Sequence, residues 1–229
     1  MNAEKDFIPF PFHVSYLAFT LKNFLHTNSP VVRPRHPHFW TVGMTTYKDK
    51  ANILQEFWDK FVMRNNSELW ATFPELYRFQ LEWFEHHLGA PCRYMPGHPM
   101  PGFHVFSYCE EFEQPLARPH VDVPENDYSF TKFKDIFTHV VPVEMPKGGG
   151  MRVWNISCED FHSKGVDACL LKARTTKPDS FVEHKPDQMI LHSGKYMHQI
   201  EPFKKPTDTW RITLQSHAIW HDGFWNLYW

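Results

Sequence analysis

The chain has 229 residues and a formal net charge of −2, and 42% of its residues are hydrophobic and 17% aromatic. This length is enough to bury a core, so a single domain over residues 1–229 is expected, and the apolar content excludes intrinsic disorder. The near-neutral charge gives no basic field of the kind that nucleic-acid-binding proteins use, so no nucleic-acid partner is expected. The four cysteines form no C-x-x-C pair, no signal peptide is visible, and no apolar stretch approaches the roughly 18 residues of a membrane helix. These features predict a cytoplasmic protein with reduced thiols and no membrane contact.

Residues 1–100 are expected to be mainly helical and to support a β-sheet. Apolar residues recur at helical spacing over residues 14–25, which predicts a short amphipathic helix. Prolines and histidines alternate with two arginines over residues 30–38, and this composition is typical of a loop.

Two longer helices are predicted after that loop. Over residues 48–64 the apolar side chains fall at i, i+1, i+4, i+5, i+8 and i+9, which is one face of a helix. The next helix is predicted over residues 67–88, with Ser67 as its N-cap and Gly89 as its end. Pro74 is expected to separate a short first turn from the rest of this helix.

Strands dominate the predicted structure of residues 101–220. Residues 103–108 alternate in polarity, which favours a strand. Residues 137–143 are apolar and β-branched, and three glycines separate them from a further strand over residues 151–156. Residues 212–219 predict the last strand. Helices followed by strands in this way indicate the α+β class.

The first candidate for chemistry is a pair of side chains near the middle of the chain. His120 and Asp122 are two residues apart, so in an extended strand both project from one face and can bind the same ion. A mononuclear non-haem iron site needs a second imidazole and leaves the opposite face of the metal open. His198 is the best candidate for that ligand, and His184 and His192 compete with it.

Arg211 and Thr213 follow His198 in the sequence. If they lie on a strand, their side chains share a face and could hold a small anion beside the metal.

Taken together, His120-x-Asp122, the distal His198 and Arg211-x-Thr213 resemble the motif of the Fe(II)/2-oxoglutarate-dependent oxygenases. In that family the first three side chains bind iron, and the arginine with its neighbouring hydroxyl binds the far carboxylate of 2-oxoglutarate. The resemblance implies a double-stranded β-helix (jelly-roll, cupin-like) core with the N-terminal helices packed on its sheet. It also implies a requirement for Fe(II), 2-oxoglutarate and O2.

The resemblance suggests roles for further residues. The family's strand before the iron motif often supplies a tyrosine to the cosubstrate pocket, which here would be Tyr108. Halogenating relatives carry alanine or glycine at the position of Asp122, so hydroxylation or a related C–H oxidation is expected. Arg118 and Arg152 are close in sequence to the site and could pair with a substrate carboxylate. Those arginines would suit a small polar acid or amino acid, whereas the aromatic content would suit an apolar natural-product intermediate.

Two other interpretations remain open. A cupin-like metalloenzyme would use the same barrel without 2-oxoglutarate, and Arg211 would then be structural. A non-catalytic binding protein would keep the β-helix and bind no metal, although the intact ligand residues argue against it.

Two segments could border the site. Residues 125–135 are charged and follow the metal motif, so they could form a lid or an ordinary surface loop. Residues 221–229 hold four aromatic rings, too many to stay fully solvated. This aromatic tail could pack on the N-terminal helices, cover the pocket or form a homodimer contact.

Overall fold

Helices and two mainly antiparallel sheets make up the part of the chain that the computed structural model describes, which comprises residues 8–9, 13–115, 117–122, 136–186, 188–204 and 206–229. The helices are α1 (Val14–Phe24), α2 (Thr46–Asp49), α3 (Gln55–Thr72), α4 (Pro74–Leu88), α5 (Cys158–Lys164) and α6 (Val166–Thr175). The strands are β1 (Ile8–Pro9), β2 (Val32–His36), β3 (Phe39–Val42), β4 (Cys92–Tyr94), β5 (Gly102–Phe106), β6 (Ile136–Glu144), β7 (Gly150–Ser157), β8 (Ser180–Glu183), β9 (Gln188–His192), β10 (Tyr196–Ile200), β11 (Arg211–His221) and β12 (Phe224–Tyr228). The predicted α+β class is confirmed.

The larger sheet has nine strands and the smaller sheet has three. The larger sheet runs β1-β9-β6-β11-β5-β3-β2, with β12 paired to β11 and β4 paired in parallel to β12, and the smaller runs β10-β7-β8. The two sheets face each other, because Val140 and Ile190 of the larger sheet form one buried cluster with Met151 and Val182 of the smaller. Strand alternation therefore leaves every second side chain of each sheet facing the space between them.

The other face of the larger sheet is covered by α1, α3 and α4. Phe103 and Leu214, which are cross-strand partners on β5 and β11, belong to one buried cluster with Leu69 of α3 and Tyr77 and Phe84 of α4. Burying a large apolar side chain of this kind contributes about 1.5–3 kcal/mol. This contact fixes which side chains of β5 and β11 face the helices and which face the smaller sheet.

Both long helices exist, but the predicted boundary between them is wrong. Helix α3 continues through Ser67 to Thr72, so Ser67 is not an N-cap. Neither proline nor glycine interrupts this stretch, so the helix can continue. The polar Asn65 is satisfied inside the helix, because its side chain accepts a hydrogen bond from the backbone N–H of Met44 at 2.9 Å. Pro74 occupies the first turn of α4, where its missing N–H has no cost, and Gly89 ends that helix as predicted.

The predicted loop over residues 30–38 is wrong, because strand β2 occupies most of it. Among the described strands, β2 lies at the edge of the larger sheet and pairs only with β3. Pro34 pairs opposite Trp40 and lacks a backbone donor, which an edge strand tolerates because one of its sides bonds to no other strand. Residues 1–100 therefore contribute strands β1–β4 as well as helices α1–α4.

The aromatic tail forms strand β12, which pairs with β11 and β4 in the larger sheet. Asp222 and Gly223 both have positive φ, 53° and 79°, and make the two-residue turn between β11 and β12. The Asp-Gly pair was the sequence signal for this hairpin. Trp225 is 8% exposed and Trp229 1% exposed, so the tail packs against its own chain. The homodimer contact stays a prediction.

No helix of the described residues is both long enough and apolar enough to cross a membrane. The predicted lid over residues 125–135 lies outside the described residues. The four cysteines are all free thiols.

Candidate metal centre

His120 and His198 meet as backbone partners at the edge of the smaller sheet. The backbone N–H of His120 donates to the carbonyl of His198 at 2.9 Å, and the reverse bond is 2.8 Å. The two imidazole rings lie 4.5 Å apart between their centroids. This single antiparallel bridge brings together two residues that are far apart in the sequence.

Asp122 completes a group of three donors. Its Oδ1 lies 3.6 Å from His120 Nε2, and its Oδ2 lies 3.4 Å from His198 Nε2. All three ligand atoms lie within 4.8 Å of one another. Neighbouring donors of one octahedral first-row ion are roughly 3 Å apart, so the three side chains would move closer together when they bind such an ion.

Backbone carbonyls fix the orientation of both imidazoles. His120 Nδ1 lies 2.8 Å from the carbonyl of Arg118, and His198 Nδ1 lies 2.9 Å from the carbonyl of Tyr196. A carbonyl only accepts, so each Nδ1 carries the hydrogen, and each neutral ring directs the lone pair of its Nε2 toward Asp122. This is the tautomer that a metal-binding histidine needs.

The charges within the triad favour a cation. Burial raises the pKa of Asp122, but His198, His217 and His120 outweigh burial and hold that pKa well below its ordinary value. Burial lowers the pKa of His198, but the charge and hydrogen bond of Asp122 raise it by more, so the net shift of this pKa is upward. The pKa of His120 is lowered by burial and by His198. The acid therefore stays ionised and attracts either a proton on His198 or a metal ion.

A second layer of hydrogen bonds positions Asp122. The hydroxyl of Thr138 on β6 donates to Asp122 Oδ2 at 2.6 Å, and Thr138 Oγ1 also lies 3.1 Å from His217 Nδ1 on β11. The backbone N–H of Asp122 donates to the carbonyl of Gly194 at 2.9 Å. Sequence analysis missed Thr138 and His217. Alternation along β11 from Thr213 could have found His217, but nothing local marks Thr138.

The competing histidines lie nearby without joining the donor group. The ring of His192 is 5.1 Å from that of His198, and its Nδ1 accepts from the backbone N–H of Gly194 at 3.2 Å. His184 is 4% exposed, and its Nε2 has no hydrogen-bond partner. Burial lowers the pKa of each to about 3, so both are neutral at physiological pH.

Arg211 is a buried charge whose hydrogen-bonding groups are unused. It is 2% exposed, and none of its three side-chain nitrogens has a hydrogen-bond partner within the described part of the chain. Its guanidinium carbon lies 4.8 Å from the centre of the Phe203 ring. Burial lowers the pKa of Arg211 to about 10, although Glu201 opposes this shift, so the group stays charged at neutral pH. An unpaired buried cation is costly, and an anionic ligand would remove that cost.

Thr213 lies beside Arg211 on the same strand and is 4% exposed. Gln215 Nε2 donates to Thr213 Oγ1 at 3.2 Å, which leaves the hydroxyl hydrogen of Thr213 able to donate to an anion. Arg211 and His217 lie six residues apart on the same face of β11. Because His217 contacts Thr138, which bonds Asp122, the cation and the metal triad border one interior region.

The other predicted site residues are elsewhere. The Tyr108 hydroxyl donates to Glu113 at 2.6 Å, which raises the pKa of Tyr108 to about 12, and its ring reaches only Phe203. Arg118 and Arg152 line a cavity of about 530 Å³ together with Gln199. Gln199 follows His198 on β10 and points to the opposite face, so this cavity lies outside the space that holds the triad.

A second group of three donors, His36, Cys109 and Glu111, occurs among the described residues. Its carboxylate is exposed, and His36 Nε2 pairs with Glu111 Oε2 at 2.9 Å. This pair is satisfied at the surface without an ion, whereas the triad of His120, Asp122 and His198 is mostly enclosed and lies near a buried cation.

No protein-family model and no curated protein matches the sequence. Among solved structures, the chain is similar to an N-substituted L-amino acid dioxygenase from Burkholderia ambifaria, with 18% identity and a TM-score of 0.40, over 56% of this chain and 53% of that one. A prolyl-4-hydroxylase from Pseudomonas putida aligns over 97% of this chain and 95% of its own, with 14% identity and a TM-score of 0.45. SnoN, a non-haem α-ketoglutarate-dependent epimerase from nogalamycin biosynthesis, aligns over 95% and 80%, with 17% identity and a TM-score of 0.48.

Proposed function

We propose that the protein is an Fe(II)/2-oxoglutarate-dependent oxygenase that oxidises a C–H bond of a small molecule. The observation that supports this most strongly is the buried guanidinium of Arg211, with three unpartnered nitrogens, in the interior region that the metal triad borders. A triad that favours a cation and an arginine that needs an anion together suit a metal ion chelated by a dicarboxylate.

The donor set fits a ferrous ion. Two neutral imidazoles and one carboxylate on one side of the metal form the two-histidine-one-carboxylate arrangement of non-haem iron oxygenases. When bound, Fe(II) with 2-oxoglutarate and O2 supplies an oxidant strong enough for an unactivated C–H bond. His120, Asp122 and His198 would hold the ion, and the carboxylate of Asp122 would fill a position that a halide would otherwise need. We therefore propose an outcome of the hydroxylation type.

The chain's own residues would position the cosubstrate. Arg211 would pair with the far carboxylate of 2-oxoglutarate, and Thr213 would add a hydrogen bond from the same face of β11. The surrounding apolar side chains would exclude water from this pair and so strengthen it. Tyr108 does not reach Arg211 directly, so we propose for it only a supporting role through Phe203.

We propose that the two sheets form a double-stranded β-helix. Its support is the way successive strands alternate between the sheets: β5 lies in the larger sheet, His120 bridges to the smaller, β6 returns to the larger, and β7 and β8 lie in the smaller. After them, β9, β10 and β11 lie in the larger, the smaller and the larger sheet.

The test is an anaerobic titration. Metal-free protein is mixed with Fe(II) and 2-oxoglutarate under argon, and the visible metal-to-ligand charge-transfer band is recorded. We expect the band in wild type and no band with 2-oxoglutarate alone. Iron uptake without the band would favour the cupin-like alternative, and no iron uptake would favour the non-catalytic one. Succinate release in air, measured across a panel of candidate substrates, then reports turnover.

A further inference from the structure

A positively charged corner adjoins β3 at the end of the larger sheet. Asp49 accepts hydrogen bonds from Arg35 at 2.7 and 2.6 Å, and Arg33 lies 3.8 Å away. This single carboxylate is thus already taken by two guanidinium groups. The neighbouring Lys48 has no carboxylate partner within the described part of the chain, so the three cations of this corner share one carboxylate and leave a local excess of positive charge.

Lys48 lies over aromatic rings. Its Nζ is 5.8 Å from the centre of the Phe39 ring and 5.6 Å from that of Tyr47. Ring faces stabilise an ammonium group weakly and leave its three N–H groups available to an anion. Lys48 itself is exposed, so a ligand can reach it.

The ring of Phe39, over which Lys48 lies, is on the face of the larger sheet that is turned toward the smaller sheet. Phe39 pairs directly with Phe106 in the β3–β5 register, and the two rings stack at 4.0 Å with an angle of 4°. Phe106 in turn pairs directly with Arg211 in the β5–β11 register. Directly paired residues project from the same face, so the stacked rings and the buried guanidinium share one surface.

Tyr47 connects this corner to the next row of the same face. Its hydroxyl lies 2.8 Å from His104 Nε2, and His104 pairs with Thr213. The side chain of Tyr47 is 56% exposed, and burial of its hydroxyl raises its pKa, with a further upward contribution from Asp122. The phenol is therefore protonated.

We propose that the substrate of this oxygenase is a small apolar monocarboxylic acid, whose flat body lies on Phe39 and Phe106 and whose carboxylate binds Lys48 beside the Tyr47 hydroxyl. This inference rests on the proposed function. Lys48 is the cation of this corner that makes no carboxylate contact within the described residues, and its ammonium group matches one carboxylate. Phe39 and Phe106 cover one face of each other, so an aromatic or other flat apolar group would pack against the edges of the two rings. The two substrate classes that the sequence left open, an acid and an apolar compound, are here one molecule.

The experiment is calorimetric titration of the Fe(II) and 2-oxoglutarate complex under argon, so that Arg211 is already occupied. The probes are 3-phenylpropionate and its neutral analogue 3-phenylpropionamide. We expect the acid to bind at least about tenfold more tightly than the amide, because the amide lacks the charge that Lys48 recognises. Equal affinity of the two probes, or no binding of the acid, would overturn the inference.

Variants locate the effect. Lys48→Met should weaken binding of the acid about tenfold and leave the amide unchanged, and Lys48→Arg should restore most of the affinity. Lys60→Met is the matched control, because Lys60 lies exposed on α3, and it should change neither affinity. Undiminished binding of the acid by Lys48→Met would contradict the assignment.

The charge-transfer band separates this inference from the proposed function. It is recorded for every variant before the probes are added. A band in wild type with no preference for the acid rejects the substrate class alone. A missing band in wild type rejects the proposed function, and with it the substrate role of this surface.

Discussion

Arg211 and Arg152 are both arginines that the sequence marks as anion contacts, and the structure treats them in opposite ways. Arg152 Nε and Nη2 both donate to the carboxylate of Glu201, the second bond being 3.1 Å, and its side chain is 35% exposed. Arg211 is 2% exposed, and its nitrogens have no hydrogen-bond partner among the residues that the structure describes. The described part of the chain thus pairs the outer charge with a carboxylate and gives the inner one no hydrogen bond.

Under the proposed function, this difference separates a structural arginine from one that binds the cosubstrate. Removing an ion from water costs several kcal/mol even after relaxation, and only hydrogen bonds or an opposite charge return that energy. Arg211 has no hydrogen bond within the described residues, and the charge of Glu201 offsets only part of the effect of its burial, so the guanidinium is a local loss of stability in the ligand-free chain. The proposed function explains that loss, because 2-oxoglutarate supplies the missing acceptor.

The largest expected effect tests whether a metal lies next to the unpaired arginine at all. We expect His120→Ala to abolish the charge-transfer band and substrate oxidation, since it removes one of only three protein ligands. His36→Ala is the control, because His36 belongs to the surface donor group, and it should leave the band unchanged. If His36→Ala removed the band and His120→Ala kept it, the metal would be at the surface group instead.

The next effect compares the two arginines directly. Arg211→Met should raise the 2-oxoglutarate concentration needed for half-maximal activity by about 100-fold, because a buried charge-assisted pair is lost. Arg152→Met should leave that concentration within about twofold of wild type, since Arg152 already has a partner on the outer face. Titration of succinate release against 2-oxoglutarate measures both values. The reverse ranking would mean that the outer cavity holds the cosubstrate.

The same two variants should shift stability in opposite directions. Arg211→Met is expected to raise the unfolding free energy of the ligand-free protein by about 1–3 kcal/mol, because it removes an unpaired buried charge. Arg152→Met should lower it by about 1–2 kcal/mol, since Glu201, 7% exposed, would lose its main partner, and the partial exposure of Arg152 limits the loss.

Denaturant unfolding measures these two changes in stability. Fe(II) with 2-oxoglutarate should then raise the midpoint of thermal unfolding of wild type and Arg152→Met, and much less that of Arg211→Met. A destabilised Arg211→Met protein would mean that the guanidinium is structural, as the cupin-like interpretation requires.

Local patterns in the sequence were enough to find the residues of the triad and the arginine. The two-residue spacing of His120 and Asp122, and of Arg211 and Thr213, carries information about a shared face wherever the chain is extended. The two long helices followed from apolar periodicity in the same way, and the Asp222-Gly223 turn could have been found from its φ requirements. Each of these signals lies within a few neighbouring residues.

Long-range pairing is what the sequence did not disclose. Nothing near Arg152 indicates that Glu201 will neutralise it, so the two predicted arginines were indistinguishable before the fold was known. Strand β2 was missed because its edge position, which alone permits Pro34, is a property of the sheet. The sequence likewise did not predict that Lys48 and Phe39 form one surface with Phe106, because Phe39 meets Phe106 through the pairing of β3 with β5.

The smallest expected effect concerns Asp122, an interior charge that the chain does compensate. Thr138 donates a hydrogen bond to the charged group of Asp122 at 2.6 Å, as Glu201 accepts hydrogen bonds from the charged group of Arg152. Thr138→Val keeps the shape and removes the donor, so we expect the affinity for Fe(II) to fall about tenfold, while Thr138→Ser should stay close to wild type. Competition with a metal-binding dye under argon measures both affinities. If Thr138→Val bound Fe(II) as tightly as wild type, the hydroxyl bond would not be needed to position the carboxylate, and hydrogen-bond compensation would not distinguish the interior charges.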